Sequence, residues 1–220
     1  SVGYDFFVAS IRLSLFLYID RLYLWELFFT FFYCQKLLKH ALIKVREKLL
    51  REPLNEATLE LFHLLSRSDS SKLKIIKAIS KGADVNAYDE SEHTVLMRAC
   101  ERFSDESIIK VILDGGADPN IGNPSPLACA IASRHYSSDV INLLIDKGAN
   151  VNYKFDSGLT LLMGSCIRNN KIGHELCLIL LKSGAEHSVK DKLGRTALIY
   201  ARGNKNTEAV RLLLEAGAIE

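Results

Sequence analysis

Apolar residues recur at helical spacing in matched blocks along the chain. Ile108, Ile109, Val111, Ile112 and Leu113 form one block, Val140, Ile141, Leu143, Leu144 and Ile145 another, and Ala209, Val210, Leu212, Leu213 and Leu214 a third. Each reads as a helix buried over most of its surface. Ahead of each block lies a shorter stretch with a single apolar face, as Leu198 and Ala201 show in the last copy. The pattern predicts helix pairs whose second members stack side by side into one continuous core.

The start and stop signals repeat with the helices. Gly-Ala occurs at Gly82-Ala83, Gly116-Ala117, Gly148-Ala149, Gly184-Ala185 and Gly217-Ala218, at intervals of 34, 32, 36 and 33 residues. A period near 33 marks a unit that cannot bury its own apolar face and must stack on its neighbours. Each glycine follows a predicted second helix, where a left-handed residue ends it. Behind the glycines come Asp84-Val85-Asn86, Asp118-Pro119-Asn120, Asn150-Val151-Asn152 and the looser Glu186-His187-Ser188. Thr94, Ser125, Thr160 and Thr196 then stand where a hydroxyl accepts from the first helical turn, and Pro126 falls at the first helical position, where a missing N–H costs nothing. Asn55 is placed to cap a degenerate unit carrying Leu59, Leu61, Phe62, Leu64 and Leu65, and Pro53 marks a boundary before it.

The stretches Thr94-Val95-Leu96-Met97-Arg98-Ala99, Ser125-Pro126-Leu127-Ala128-Cys129-Ala130, Thr160-Leu161-Leu162-Met163-Gly164-Ser165 and Thr196-Ala197-Leu198-Ile199-Tyr200-Ala201 resemble the ankyrin repeat signature Thr-Pro-Leu-His-x-Ala, which runs through two helices to Gly-Ala-Asp-x-Asn. The signature histidine is replaced by Met97, Ala128, Met163 and Ile199, and only the second of these stretches keeps the proline. The resemblance implies an all-α ankyrin-repeat solenoid over residues 53–220. It comprises a capping unit at 53–86 and repeats at 87–120, 121–152, 153–188 and 189–220, preceded by a hydrophobic helical segment at 1–52. It also implies protein–protein recognition, without catalysis, through a concave groove and the hairpin tips. Counted along the units, the expected partner-binding residues are Tyr88, Glu90, His93, Glu101, Arg102, Tyr153, Lys154, Phe155, Arg168, Lys190, Lys192 and Arg195. Acidic groups gather at the first tip and basic ones at the fourth, so the groove is expected to orient an elongated partner by charge. Tyr88, Tyr153 and Phe155 are the expected affinity anchors. The short, uncharged tip Ile121 to Pro124 and an insertion between helices near Asn169 to Gly173 are the expected sources of specificity.

Composition narrows the alternatives. With 48% apolar residues, 25% charged residues and a net charge of +2, the chain is ordinary globular material that implies no nucleic-acid partner. Cys100 and Cys166 share one register and Cys129 and Cys177 fall among apolar positions, so the odd set of five reads as core packing in a reducing, cytoplasmic compartment. No zinc spacing, nucleophile motif or Gly-rich phosphate loop is found, which implies no metal, no cofactor and no enzyme.

Residues 1–52 stand outside the repeat. The stretch 11–33 is aromatic and apolar, with Arg12, Asp20, Arg21 and Glu26 at no common helical angle, so it suits burial in protein or lipid. At mid-bilayer Asp20 and Arg21 each cost about 2.5–3.5 kcal/mol, while apolar residues return about 0.3–0.6 kcal/mol apiece, a balance near zero. The longest charge-free run, Leu27 to Gln35, has nine residues, against about 18 for a clear span. Lys36 to Arg46 then reads as a basic amphipathic helix. Three readings stay open: a helical cap, a segment in contact with membrane through residues 11–51, and a non-native extension, since no methionine precedes Met97. A membrane-tethered adaptor and a fragment of a larger ankyrin-containing enzyme or effector are the corresponding alternatives.

Overall fold

Every helix in the described part of the chain begins at a side-chain cap. The computed structural model describes residues 54–67 and 71–219; the cap, membrane and extension readings of residues 1–52 lie outside them, as does Cys34. Among the described residues ten helices form five pairs: α1 (Glu56–Ser66) with α2 (Lys72–Ser80), α3 (Val95–Arg102) with α4 (Glu106–Asp114), α5 (Pro126–Ala132) with α6 (Ser138–Asp146), α7 (Leu161–Ile167) with α8 (Lys171–Lys182), and α9 (Ala197–Gly203) with α10 (Thr207–Glu215). The caps expected at Asn55, Thr94, Ser125, Thr160 and Thr196 are all formed, each side-chain oxygen accepting from the backbone N–H three residues on, at 2.8–3.4 Å. At Thr94 and Thr160 the bond is returned, because Met97 Sδ and Met163 Sδ each accept the cap residue's own N–H at 3.4 Å. A thioether is a weak acceptor. Two of the residues replacing the signature histidine therefore still serve the helix start.

The five repeated glycines end the second helices as the sequence predicts. Gly82, Gly116, Gly148, Gly184 and Gly217 have φ between 85° and 95°. The following alanine N–H then reaches back to the last helical turn, as from Ala149 to the Leu144 carbonyl at 2.9 Å, closing carbonyls the helix leaves open.

Two rows of helices result. In the first-helix row α3 packs on α1 and α5, and α7 on α9; in the second-helix row α4 packs on α2 and α6, and α8 on α6 and α10. One register position, four residues before each glycine, supplies Ala78, Ile112, Leu144, Leu180 and Leu213, all fully buried. Another, two residues past the cap, supplies Leu96, Leu127, Leu162 and Leu198. Burying each such leucine or isoleucine contributes about 1.5–3 kcal/mol. Cys100, Cys129, Cys166 and Cys177 are buried and free within this core, in keeping with the packing role expected of them. Burial pushes the Cys129 thiol up to about 12.

An asparagine ladder joins the units along one edge. Asn55 donates Nδ2 to the carbonyl of its own unit's Gly82 at 2.9 Å, and Asn86, Asn120 and Asn152 each donate Nδ2 to the carbonyl of the next unit's glycine, at 3.0, 2.9 and 3.4 Å. The last three also accept a backbone N–H from that unit, Asp118, Asn150 and Glu186 respectively, each at 2.8 Å. Ser188 occupies the next rung. Its side chain is too short to repeat the double bond, so the ladder stops there.

One expectation is corrected in kind. The extra residues near Asn169 to Gly173 do not form a loop between helices; α8 has 12 residues where α4, α6 and α10 have nine, and Lys171–Gly173 are its first turn. Asn170 caps that turn by accepting from Gly173 N–H at 2.9 Å. Gly173 is buried against the end of α7, where an added Cβ would stand 1.9 Å from the Arg168 carbonyl oxygen. Only a glycine lets the longer helix pass so close.

Candidate functional site: the hairpin tips and the first-helix row

The first tip closes on an aspartate. Tyr88 and Thr94 pair in an isolated antiparallel bridge, and between them Asp89 Oδ1 accepts from Ser91 N–H at 2.8 Å and His93 N–H at 3.0 Å. Its other oxygen accepts from Arg98 Nε at 2.6 Å. Burial of Asp89 works against its charge, but these bonds outweigh it and hold the carboxyl below its usual range. Arg98 also reaches Glu101 at 3.3 Å, and His93 Nε2 lies 3.1 Å from the same carboxylate. The acidic end foreseen in the sequence is therefore a cross-linked network in which Arg98 neutralises much of the charge.

The fourth tip repeats the arrangement with more partners. Asp191, like Asp89, stands five residues before its capping threonine. It accepts from Leu193 N–H at 2.9 Å, Arg195 N–H at 2.8 Å, Arg195 Nε at 2.9 Å and Tyr200 Oη at 2.7 Å. Its side chain is 3% exposed. Burial again opposes the charge, and the backbone and side-chain bonds from Arg195 and Tyr200 override it, leaving the carboxyl far below its usual range. Arg195 lies 4.6 Å over the Tyr200 ring centre. The structure thus places Arg195 on the tip's own closing carboxylate, while Lys190 and Lys192 are exposed beside it.

The third tip has Phe155 where the first and fourth have aspartate. Its backbone closes through Phe155 N–H to the Leu159 carbonyl at 2.9 Å and Gly158 N–H to the Phe155 carbonyl at 2.8 Å. Tyr153 and Phe155 meet edge-to-face at 5.0 Å, half-buried, and Tyr153 Oη donates to Asn123 Oδ1 of the preceding tip at 2.6 Å. Burial raises the Tyr153 phenol. These aromatics tie the third tip to the short second one, whose Gly122 packs directly on Met97 of the unit before. Lys154 projects from the same tip and is exposed.

Arg102 and Arg168 turn out to share a task. Each lies eight residues past its cap, and each donates Nη1 at 3.1 Å to a carbonyl at the end of the preceding first helix, Ser66 and Ile131 respectively. Ser133 does the same toward the Glu101 carbonyl at 3.0 Å. Beside Arg102 and Arg98 a depression of about 240 Å³ opens over Phe62, Leu65, Ser66 and Asp89. The first-helix row therefore carries tethered guanidiniums, Arg102 and Arg168, while the third and fourth tips carry exposed lysines. Sequence counting named Arg102, Arg168 and Arg195 but missed their tethers and missed Arg98, Asp191 and Tyr200. Alignment of the copies holds one retrievable signal, the aspartate five residues before Thr94 and again before Thr196.

No group of three or more His, Cys, Asp or Glu residues that could hold a metal lies among the described residues, and no helix there is long and apolar enough to cross a membrane.

Known proteins agree with this architecture. The family described as ankyrin repeats (3 copies) matches residues 62–155 and 131–220. E3 ubiquitin-protein ligase KEG of Arabidopsis thaliana is 33% identical over 149 residues, covering 62% of this chain and 9% of that protein. Ankyrin repeat protein FPV034 of fowlpox virus (strain NVSL) is 31% identical over 168 residues, covering 72% and 38%. Human ankyrin repeat and SOCS box protein 6 is 28% identical over 185 residues, covering 77% and 42%. The chain spans less than half the length of each of these relatives.

Proposed function

The chain belongs to the ankyrin repeat family, and from that premise we propose that it binds a partner protein across its hairpin tips and the exposed side of its first-helix row. The family's repeats are protein-interaction modules. The observation that supports this surface is the contrast between locked tips and displayed cations. Asp191 and the Tyr153–Phe155 pair fix the backbone of the fourth and third tips. Lys154, Lys190 and Lys192, carried on those tips, are exposed and make no ion pair among the described residues. A tip whose backbone is already fixed loses little backbone freedom on binding, and the charge it carries speeds encounter.

The partner segment that fits is extended and acidic where it meets the third and fourth tips. At the first tip it meets Glu90, Glu92 and the Asp89–Arg98–Glu101 network. Tyr88, His93, Arg102 and Arg168 act by holding neighbouring elements in register, with their exposed edges completing the surface. The binding reading is non-catalytic, and the activity named for the plant relative belongs to a protein of which this chain matches 9%. Photo-crosslinking from single positions tests it: adducts form from Lys154 and Lys192 and not from Lys110 or Asn142, exposed positions on α4 and α6.

A further inference from the structure

We infer that the edge formed by the loops between paired helices, at the far ends of the first helices from the hairpin tips, is a second interaction surface over the last three repeats. Its partner is an acidic segment of another protein. The lengthened α8 sets this edge apart. Its extra turn gives the third repeat a projection that α2, α4, α6 and α10, at nine residues each, do not have. That turn presents Lys171 and Ile172 to solvent, Ile172 being 38% exposed, while Gly173 behind them is wedged against Arg168. The close packing that admits only glycine therefore supports a turn whose outer residues cover nothing.

Cations flank the projection on both sides. Arg134, in the loop from α5 to α6, and Lys205, in the loop from α9 to α10, are exposed, and with Lys171 they make no ion pair among the described residues. Lys205 stands at φ 55°, in the left-handed region that suits glycine and costs an L-residue. The fold thus holds a free charge where glycine would rest more easily. The loops are also fixed to one another, since Arg168 Nη1 donates to the Ile131 carbonyl at 3.1 Å and Asn169 Nδ2 to the Lys205 carbonyl at 3.2 Å. Carboxylates on this edge do not cancel the cations. Glu208 is held by Arg211, and Glu175 is half-buried beside Tyr136, which leaves Asp139 exposed. In the first repeat the same loop reads Phe103-Ser104-Asp105 with Glu106 after it, so the basic stretch starts at the second repeat.

Spacing and charge select the occupant. Neighbouring helices lie about 8–10 Å apart, so three loops spread their cations over about 20 Å, which some six or seven extended residues span. Carboxylates at every third residue meet the three cations, and an apolar residue between them meets Ile172. A single isoleucine offers too little apolar surface to anchor the chain on a membrane.

The test uses the full chain and a fluorescein-labelled peptide of about nine residues, with glutamates at every third position and leucine at the centre. A second peptide carries lysines in place of the glutamates. Anisotropy is read at roughly 50 mM salt, where screening is weak. Because the tips also favour acidic partners, every protein carries Lys154→Glu and Lys192→Glu, so the tip reading and this one fail separately. The glutamate peptide is expected to bind in that background. Lys171→Glu with Lys205→Glu is expected to weaken it about fivefold or more and to turn the preference toward the lysine peptide. Ile172→Asp is expected to weaken it about threefold or more. Lys205→Gly separates charge from backbone: it is expected to weaken the peptide while the urea midpoint is no lower than the parent's. Circular dichroism of each variant, all at exposed positions, checks that the fold is retained. Failure of the glutamate peptide to bind in the tip background, equal binding of the two peptides, or an unchanged affinity after Lys171→Glu with Lys205→Glu overturns the proposal. So does flotation of the full chain with phosphatidylserine vesicles that Ile172→Asp abolishes, since a membrane then covers this edge.

Discussion

Replacing Gly173 with alanine is expected to destabilise the array although alanine is the better helix former. An added Cβ at this position would lie 1.9 Å from the Arg168 carbonyl oxygen and 2.7 Å from Arg168 Cβ. More than an ångström of separation must be opened before the contact is tolerable, and the neighbour that has to move is backbone. Overpacking of this kind costs about 1–3 kcal/mol. The same Arg168 carbonyl accepts from Asn206 Nδ2 at 3.2 Å, so displacing it also strains the tie between the third and fourth repeats. Against this, exchanging a helical glycine for alanine returns roughly 0.5–1 kcal/mol. The net expectation is a loss of about 0.5–2 kcal/mol, seen as a melting temperature lower by about 1–8 °C at this size. Gly164→Ala is the internal control. It also lies in a helix, with no atom within 4 Å of the added Cβ, so it is expected to raise stability by up to about 1 kcal/mol. Chemical denaturation of both variants decides the matter. If Gly173→Ala is as stable as the parent, or more so, the steric account of the long α8 is wrong.

The other expectations concern the ladder and the tips. Asn120→Ala removes a donor to the Gly148 carbonyl and an acceptor for Asn150 N–H, and is expected to cost about 1–2 kcal/mol in urea unfolding. Ser188→Asn, which extends the ladder by one rung, is expected to gain up to about 1 kcal/mol in the same assay; equal midpoints for both variants would remove the ladder from the account. The depressed carboxyl of Asp191 makes a contribution that is fully present above the ordinary carboxylate value of 3.8 and fades as pH falls through the lower folded value. Asp191→Asn is therefore expected to be the less stable protein at pH 7 and to show a shallower loss on acidification; parallel curves for the two proteins would contradict it.

The parts legible in the sequence are those written within a few residues of one another. A hydroxyl three residues ahead of an N–H defines a cap, and a glycine after an apolar block defines a stop, so Thr94, Ser125, Thr160, Thr196 and the Gly-Ala series located the helix pairs. The tip charges were harder to read, because their meaning depends on partners that only the folded backbone brings near. Arg195 looks like a groove cation in the sequence, yet its guanidinium is held by Asp191 and Tyr200. Arg102 and Arg168 reach carbonyls 36 and 37 residues away. Tyr153 and Phe155, expected as exposed anchors, are half-buried because the short second tip leaves room for them to pack on each other and on Asn123. The extra residues before Leu176 were visible as a change of period, but spacing alone does not say whether an insertion lengthens a loop or a helix. Gly173 and the Asn170 cap make it a helix.

The most direct test of the protein-binding account is where a partner touches the molecule. A photo-crosslinking residue placed singly at Lys154, Lys192, Lys110 and Asn142 reports this in one experiment. The account predicts adducts with one protein from Lys154 and Lys192, suppressed by excess unlabelled chain, and none from Lys110 or Asn142. Adducts formed equally from the second-helix positions, or from those positions alone, would contradict it.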